Sequence, residues 1–312
     1  MKVPLTQQAQ TVLDMMTSLG FGGLALDADP LEIRALYDGA IVPSSIAIEY
    51  VEDRAVPGPA GDIPVRIYRP AGTSPQPVLV YFHGGGWVLG GLETHDGTCR
   101  RFADDAGCIV VSVDYRLAPE TRFPGAVDDC YAATCWVAEH AAEIGADPAR
   151  VAIGGDSAGG NLTAVVAQLA RDRGGPALVF QLMIYPVTDC EYASRSMVDN
   201  AEGYFLTADG MRWFYGLYLS DPDEEADPRV SPLRAADLSN LPPGFVLTAE
   251  FDPLRDQGRA YAAALRAAGN EVPDTLYEGV FHGFFAMYDL IDVGKQAMLD
   301  AVAALRGAFE ER

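Results

Sequence analysis

The segment Gly155-Asp156-Ser157-Ala158-Gly159 places a serine between two glycines, each two residues away. The apolar run 150–154 precedes it, and the segment 158–172, which has helical character, follows it. A nucleophilic serine sits on a sharp strand-to-helix turn with a strained backbone, and small neighbours let the two elements approach closely. The N-terminus of the following helix favours negative charge that develops at the serine. The pattern predicts that Ser157 is a nucleophile.

A second glycine-rich motif, His83-Gly84-Gly85-Gly86-Trp87, directly follows the apolar run 78–82. Three consecutive glycines cost backbone entropy, so they indicate a backbone that another group must approach closely. Their N–H groups, together with that of Ala158, can converge on the oxyanion of a tetrahedral intermediate. The motif lacks the lysine of a phosphate-binding Walker loop. We therefore predict an oxyanion hole whose donors lie among Gly84, Gly85, Gly86 and Ala158, and the sequence leaves open which of the glycines contribute.

A serine nucleophile needs a general base, and the chain contains four histidines. His83 belongs to the glycine motif. His95 and His140 lie in or beside helical segments, where we expect surface or cap positions. His282 follows the apolar run 272–278 and has glycines on both sides, which would let its ring turn towards the serine. The sequence favours His282 as the base.

The acid of such a triad is expected at another strand end, between the serine and the histidine in sequence. The apolar run 245–250 leads to Asp252, and the proline that follows it fixes the turn. Asp256 is expected near a helix start as a capping or dipole residue, and Glu250 still lies on the strand. Asp252 is therefore the predicted acid.

The chain order Ser157, Asp252, His282 is that of α/β-hydrolases and differs from the orders in chymotrypsin-like and subtilisin-like proteases. The chemistry it predicts is acyl transfer through a covalent intermediate. Ser157 attacks a carbonyl carbon, His282 takes the serine proton, and Asp252 orients and stabilises the imidazolium. Water then attacks the acyl-enzyme in the same way.

Short apolar runs that alternate with helical segments predict an α/β fold with a mostly parallel sheet. Several runs are apolar on both faces, which a sheet covered by helices on both sides requires. No helical segment separates the first two runs, so the leading edge is expected to be antiparallel. The eight predicted strands are 47–54, 64–69, 78–83, 108–113, 150–154, 179–184, 245–250 and 272–278. The predicted helices are 95–106, 125–143, 158–172, 255–268 and 290–310, with two more within the first 45 residues.

The composition excludes several classes of partner. The chain has 312 residues and a net charge of −22, a surface that repels nucleic acid and anionic lipid. Its five cysteines form no zinc-binding spacing, and the odd number is typical of a reducing compartment. No apolar run is long enough to span a bilayer, and polar residues interrupt the first twenty positions where a signal peptide would need an apolar core. The expectation is a cytoplasmic protein that binds neither nucleic acid nor membranes.

The chain resembles the bacterial hormone-sensitive lipase family of carboxylesterases from about residue 45 to the end, and its serine motif points to the GDSAG subgroup. The motifs that carry the resemblance are His83-Gly-Gly-Gly86, Tyr115-Arg-Leu-Ala-Pro-Glu120 with Phe123-Pro124, Gly155-Asp-Ser-Ala-Gly159, Tyr185-Pro186, Asp252-Pro-Leu-Arg-Asp256 and His282-Gly-Phe284.

The resemblance implies a serine carboxylesterase that acts on short- to medium-chain acyl esters, with a small-molecule ester as its partner and with no metal or cofactor. It also implies a helical cap built from residues 1–45 and the aromatic-rich insertion 190–222, on a catalytic domain that spans 46–312. Members of the family often form homodimers, which the sequence leaves open. Arg116, Pro119 and Glu120 are expected to brace the loop beside the site, and Asp156 is expected to anchor a loop.

The aromatic and apolar residues around these motifs are candidates for the substrate pocket. The predicted pocket residues are Trp87, Tyr185, Leu206, Met211, Phe214, Phe281 and Phe284. Two other classes of function remain open on this scaffold. One is a ligand-binding protein without activity, against which the intact set of three residues argues. The other is an amidase, peptidase or long-chain lipase.

Overall fold

The computed structural model describes residues 4–73 and 75–310 and has one eight-stranded sheet in the order β1-β2-β4-β3-β5-β6-β7-β8. The strands are β1 Tyr50–Gly58, β2 Gly61–Arg69, β3 Gln76–Phe82, β4 Ile109–Val113, β5 Ala146–Asp156, β6 Phe180–Ile184, β7 Gly244–Phe251 and β8 Asp274–Phe281. Only the contacts of β2 with β1 and β4 are antiparallel. All the other strand pairs are parallel. The predicted fold class, the eight strands and the antiparallel leading edge are confirmed.

Helices cover both faces of the sheet. They are α1 Gln7–Ser18, α2 Pro30–Gly39, α3 Asp96–Ala106, α4 Gly125–Glu139, α5 Ala158–Arg173, α6 Arg195–Asp199, α7 Ala208–Tyr218, α8 Arg255–Ala267 and α9 Asp292–Glu310. Alternate residues of β3 point into the two resulting cores, because successive side chains of a strand face opposite sides. Val78 and Phe82 pack with α4, α5 and α8, whereas Leu79 and Tyr81 pack with α1, α3 and α9.

The ends of several elements differ from the sequence prediction. Strand β1 begins three residues later than expected, and β5 is longer, from Ala146 to Asp156, because its start pairs with Gln76 across a register shift. The predicted helix 125–143 ends at Glu139, where His140 leaves the helical conformation, and the 3₁₀ turn Ala141–Ile144 follows. Strands β5, β7 and β8 all end at or within one residue of the three predicted catalytic positions.

Two segments cover the carboxyl edge of the sheet. The first contains α1 and α2, whose N-caps Thr6 and Asp29 each accept a hydrogen bond from a backbone N–H of the first turn. The second is the insertion after β6, which contains α6 and α7. Trp213 Nε1 on α7 donates to the Ala28 carbonyl at 3.0 Å, so the two segments contact each other. Within 4–73 and 75–310, no helix is both long enough and apolar enough to cross a bilayer.

Candidate active site

Ser157 lies at the turn between β5 and α5 with a backbone φ of 57° and ψ of −116°, a conformation that non-glycine residues seldom adopt. The flanking glycines are required sterically. A Cβ on Gly159 would lie 1.9 Å from the Phe82 carbonyl oxygen, and one on Gly155 would lie 2.4 Å from the same atom. The Ser157 N–H donates to the Ile184 carbonyl at 2.8 Å, which ties the turn to the neighbouring strand. The strained turn thus packs against the end of β3 at Phe82 and is hydrogen-bonded to β6 at Ile184.

His282 and Asp252 complete a hydrogen-bonded chain with this serine. His282 Nε2 lies 2.9 Å from Ser157 Oγ, and His282 Nδ1 lies 2.7 Å from Asp252 Oδ2. Asp252 is fully buried, and its other oxygen accepts the Leu254 N–H at 2.8 Å. An ionised carboxylate can only accept hydrogen bonds, so it holds the proton on Nδ1 and leaves the Nε2 lone pair facing the serine hydroxyl. The three predicted residues meet because the carboxyl ends of parallel strands share one edge of the sheet.

The other two carboxylates considered for the acid are bonded elsewhere. Glu250 Oε2 accepts the Gly279 N–H at 2.8 Å, which ties the end of β7 to β8 just before His282. Asp256 accepts the Ser196 N–H at 2.8 Å and pairs with Arg255, in the first turn of α8. Both carboxylates therefore fix backbone elements around the site.

The glycine loop faces the serine with part of its backbone. Gly85 and Gly86 have φ angles of 120° and 60°, which favour glycine, and both line the cavity at Ser157. Among the described residues, no acceptor is found for the N–H groups of Gly85, Gly86 and Ala158. Gly84 differs from the other candidate glycines, because its N–H donates to Asp156 Oδ1 at 3.0 Å and lies 3.2 Å from His95 Nε2.

The sequence suggested a surface or cap position for His95, but in the structure its side chain is buried. It stands at the N-cap position of α3, but its side chain turns inward and the residue is only 4% exposed. His95 Nε2 lies 3.3 Å from Asp156 Oδ1, and Tyr81 Oη donates to the same oxygen at 2.8 Å. This second histidine–carboxylate pair contacts the Gly84 N–H, whereas the pair of His282 and Asp252 contacts the serine hydroxyl. Its role in the structure is to hold the glycine loop.

Burial and neighbouring groups shift the pKa values of Asp156 and His83 behind the glycine loop. Burial opposes ionisation of Asp156, but His95 and the hydrogen bond from Tyr81 outweigh it and hold the pKa of the Asp156 carboxyl below its usual value. Burial, with the neighbouring His95, lowers the pKa of His83 to about 3, so His83 is neutral at physiological pH. The His83 ring stacks on Tyr115 at 4.2 Å between centroids. A charged carboxylate and a neutral imidazole therefore lie behind the glycine loop.

An Asp156→Ala substitution should weaken the glycine loop without touching the Ser157–His282 contact. Removal of the carboxylate leaves Tyr81 Oη without its acceptor and the Gly84 N–H with His95 alone. We expect a loss of about 1–3 kcal/mol in the free energy of unfolding. We also expect kcat for ester hydrolysis to fall by about 10–100-fold, because oxyanion donors contribute through their position. Urea denaturation and steady-state kinetics measure the two effects, and an unchanged kcat would show that Asp156 does not position the loop.

A salt bridge also supports the segment after the glycine loop. Arg34 on α2 donates to the Val88 and Ala118 carbonyls and makes a bidentate contact with Glu120. The hydrogen bonds from Arg34 lower the pKa of Glu120 to about 2. Arg116 pairs with the buried Asp129 at 2.7 Å. The Arg34 contacts connect α2 to the loop beside the site, and the Arg116 pair connects that loop to α4.

A cavity of about 120 Å³ opens at the serine and the histidine. The structure places three of the predicted pocket residues in its wall, namely Tyr185, Leu206 and Phe214. Tyr185 lies against His282 at 4.5 Å between ring centroids. The sequence did not identify the other apolar wall residues, which are Phe21, Leu24, Ile33, Leu36, Tyr37, Leu89 and Phe205. Five of these come from the N-terminal segment, where the helical spacing of Ile33, Leu36 and Tyr37 indicates a shared face but not what that face covers.

Four predicted pocket residues lie outside the wall of this cavity. Trp87 stacks on Tyr218 at 4.3 Å between centroids and is fully buried behind the loop. Met211 packs in the core on the same side of the sheet. Phe281 and Phe284 pack in the opposite core beside α9. Their side chains are buried in the protein's cores, so an apolar residue next to a motif in sequence was not a sufficient criterion.

Comparison with known proteins agrees with this architecture. Residues 79–286 match a protein family described as having the alpha/beta hydrolase fold. The chain is 47% identical over 306 residues to the carboxylic ester hydrolase LipN of Mycobacterium tuberculosis, covering 95% of this chain and 81% of LipN. It is 44% identical over 248 residues to an ethyl acetate hydrolase of Pseudomonas putida, covering 78% of each protein. Among solved structures, a hyperthermophilic esterase from the archaeon Pyrobaculum calidifontis superimposes with a TM-score of 0.93 at 41% identity, over 98% of this chain and 99% of that one.

The fold and the strand-end site define an α/β-hydrolase. The chain belongs to this family, since the matched segment covers most of its length and the relatives are well above 30% identical. The resemblance to the hormone-sensitive lipase family agrees with these matches, and the GDSAG subgroup stays a prediction.

Proposed function

We propose that this protein is a serine carboxylesterase that hydrolyses short- to medium-chain acyl esters with Ser157 as nucleophile, His282 as base and Asp252 as acid. The relatives named above are ester hydrolases, and the chain is an ester hydrolase of their family. The observation that carries the catalytic assignment is the hydrogen-bonded chain from Ser157 Oγ through the His282 ring to Asp252, at 2.9 and 2.7 Å.

The reaction begins with attack of Ser157 Oγ on the ester carbonyl carbon, while its proton passes to His282 Nε2. The tetrahedral intermediate collapses when its bond to the alkoxide oxygen breaks, and the imidazolium donates its proton to that leaving alcohol. Water then gives a proton to His282 and attacks the acyl-enzyme. The carboxylic acid leaves, and the serine recovers its proton. Asp252 stays ionised throughout and stabilises the imidazolium.

The oxyanion hole in this proposal consists of the N–H groups of Gly85, Gly86 and Ala158. All three lack an acceptor among the described residues, and Ala158 is the first residue of α5, whose N-terminus favours negative charge. A single donor of this kind lowers the activation barrier by about 3–4 kcal/mol. Gly84 is not a donor to the oxyanion in this proposal; its N–H donates to Asp156 and helps to position the glycine loop.

The cap in this proposal consists of residues 1–45, of which 1–3 lie outside the described residues, and the insertion 190–222. Support comes from the cavity wall, to which the first segment contributes Phe21 and Tyr37 and the second contributes Leu206 and Phe214. The catalytic domain is then 46–312, with residue 74 and residues 311–312 undescribed.

The size of the cavity at Ser157 supports a short group on the substrate. The cavity measures about 120 Å³, below the range of about 300–1,000 Å³ in which most small-molecule sites fall, so it favours a short group. Its wall is largely apolar, which favours an alkyl group over a charged one. The Pseudomonas putida relative, named as an ethyl acetate hydrolase, is consistent with such a substrate.

The experiment that tests the proposal is hydrolysis of p-nitrophenyl esters from acetate to palmitate. We expect the highest kcat/KM at acyl chains of about two to eight carbons and a decline towards palmitate, because the cavity at the serine is small. A folded protein that releases no p-nitrophenol from any member would refute the esterase assignment. In that case, binding of a fluorescent ester analogue and hydrolysis of p-nitroanilides would separate a ligand-binding protein from an amidase.

A further inference from the structure

Helix α6, the first helix of the insertion 190–222, packs on the loop that carries the proposed acid. We call residues 252–254, between the end of β7 and the start of α8, the acid loop. Asn200, which caps the C-terminus of α6, donates from its side-chain NH₂ group to the carbonyls of Asp252 at 3.1 Å and Glu250 at 3.3 Å. Ser196 Oγ donates to the Pro253 carbonyl at 2.7 Å. Asn200 and Ser196 are fully buried, so these contacts are shielded from solvent.

The sheet supports this end of β7 incompletely. Strand β6 pairs with β7 only as far as Leu247, and the register of β7 against β8 shifts before the last residue of β7. Buried backbone carbonyls need hydrogen-bond donors, and Glu250 and Asp252 find them outside the regular ladder. Arg255 at the start of α8 donates to both carbonyls, and Asn200 donates to both from the insertion. The insertion therefore helps to set the position of the acid loop.

The position of this loop decides whether the acid reaches the base. The two oxygens of the Asp252 carboxylate contact His282 Nδ1 at 2.7 Å and the Leu254 N–H at 2.8 Å. A misplacement of about 1 Å at a group that takes part in the reaction can cost about 100-fold in rate. Asn200 is not among the described residues that line the cavity at Ser157, so its influence on the reaction is expected to pass through Asp252.

We propose that α6 positions the acid of the triad, with Asn200 as the main positioning residue and Ser196 as the second. The Asn200 amide fixes the backbone of the acid loop, so that the Asp252 carboxylate stays within hydrogen-bonding distance of His282 Nδ1. This inference rests on the proposed esterase function and adds a second role for the insertion. The insertion contributes Leu206 and Phe214 to the cavity wall, and through α6 it also holds the acid.

An Asn200→Ala substitution tests the positioning role. It removes the donor to two carbonyls at the acid loop and leaves Ser157, His282 and Asp252 in the chain. We expect kcat for p-nitrophenyl butyrate to fall by at least about 10-fold, because the carboxylate is then less well placed against the imidazole. KM should stay within about 2-fold of the parent, since the substituted side chain does not line the cavity. Steady-state kinetics measure both constants.

The matched control is Asn270→Ala. Asn270 is also a buried asparagine, and its NH₂ group donates to the Leu238 and Leu265 carbonyls at 2.6 and 2.9 Å. It lies between α8 and β8, at the opposite edge of the sheet from the triad. The control thus removes the same kind of contact away from the acid loop. Its kcat should stay within about 2-fold of the parent, and an equal loss of kcat in both variants would refute the specific role of Asn200.

A double-mutant cycle with Asp252→Asn distinguishes positioning of the acid from a general effect on the structure. If Asn200 acts through the Asp252 carboxylate, adding Asn200→Ala to Asp252→Asn should change kcat by less than about 2-fold. The same cycle with Ser196→Ala, which removes the donor to Pro253, tests α6 with a smaller change. We expect Ser196→Ala alone to lower kcat by at least about 5-fold. Circular dichroism checks that each variant is folded, and Ser196→Ala decides the question if Asn200→Ala does not fold.

The outcomes separate this inference from the function on which it rests. A parent protein that hydrolyses no ester, or an Asp252→Asn variant with the kcat of the parent, refutes the proposed function and the inference with it. When the parent is active and depends on Asp252, a folded Asn200→Ala protein that loses less than about 10-fold in kcat overturns the positioning role. A further loss of more than about 2-fold in the Asp252→Asn background also overturns it, because Asn200 would then act on a group other than the acid.

Discussion

The Ser157→Ala variant should hydrolyse p-nitrophenyl butyrate with a kcat about 10⁶-fold below that of the parent, the effect expected when a triad nucleophile is removed. The substitution deletes the one oxygen that lies 2.9 Å from His282 Nε2 and leaves the base, the acid and the glycine loop in place. Residual hydrolysis above the water rate should persist, because oxyanion donors and substrate binding still act. Stopped and continuous p-nitrophenol assays at high enzyme concentration measure both rates.

The control for this variant is Ser239→Ala, which removes a half-buried hydroxyl away from the cavity at Ser157. It should retain the kcat of the parent. Alanine at position 157 must adopt the same strained φ of 57° as the serine. Urea denaturation of both variants therefore checks that the fold is intact. A Ser157→Ala protein with a kcat within about 10-fold of the parent would mean that another residue is the nucleophile that forms the acyl-enzyme.

The hydrogen-bonded meeting of the three residues proposed as the triad was predictable from the sequence, because their positions have local signals. Ser157 lies between glycines at a strand end, and His282 and Asp252 each follow an apolar run. A parallel sheet brings such strand ends to one edge, so the chain order was enough to predict their meeting. The structure adds the distances and the second contact of Asp252, with the Leu254 N–H.

The glycine loop shows where local signals end. Three consecutive glycines indicate a close approach but not which N–H groups are free. Gly84 is bonded to Asp156, 72 positions further along the chain, and no spacing in the sequence reveals that pairing. His95 was placed correctly at a helix start, but the direction of its side chain depends on Asp156 in the same way. In both cases the contact is with Asp156, which lies far away in the sequence, so the local pattern could not predict it.

The cavity at Ser157 is predicted least well for a related reason. Phe214 and Met211 lie three positions apart on α7, yet of these two only Phe214 lines the cavity at Ser157. The difference depends on how α7 is rotated against α2 and the glycine loop. A Cβ on Gly86 would lie 2.1 Å from the Phe214 ring, so the loop and the helix fix each other's position. Packing between segments that are distant in sequence thus sets the shape of the substrate site.

An Asp252→Asn substitution should lower kcat about 10⁴-fold while it leaves the shape of the site almost unchanged, the size of effect seen when a triad histidine is held in the wrong tautomer. The two carboxylate oxygens of Asp252 accept from Leu254 N–H and from His282 Nδ1. An asparagine that keeps its oxygen on the Leu254 N–H must present its NH₂ group to His282. Nδ1 then accepts, Nε2 carries the ring proton, and the imidazole cannot take the proton of Ser157.

The matched control is Asp256→Asn, four residues further along the chain; the carboxylate of Asp256 accepts the Ser196 N–H on α6. It should lower the free energy of unfolding by about 1 kcal/mol and leave kcat within about 3-fold of the parent. The opposite result, with kcat lost in Asp256→Asn and kept in Asp252→Asn, would transfer the role of the acid to Asp256.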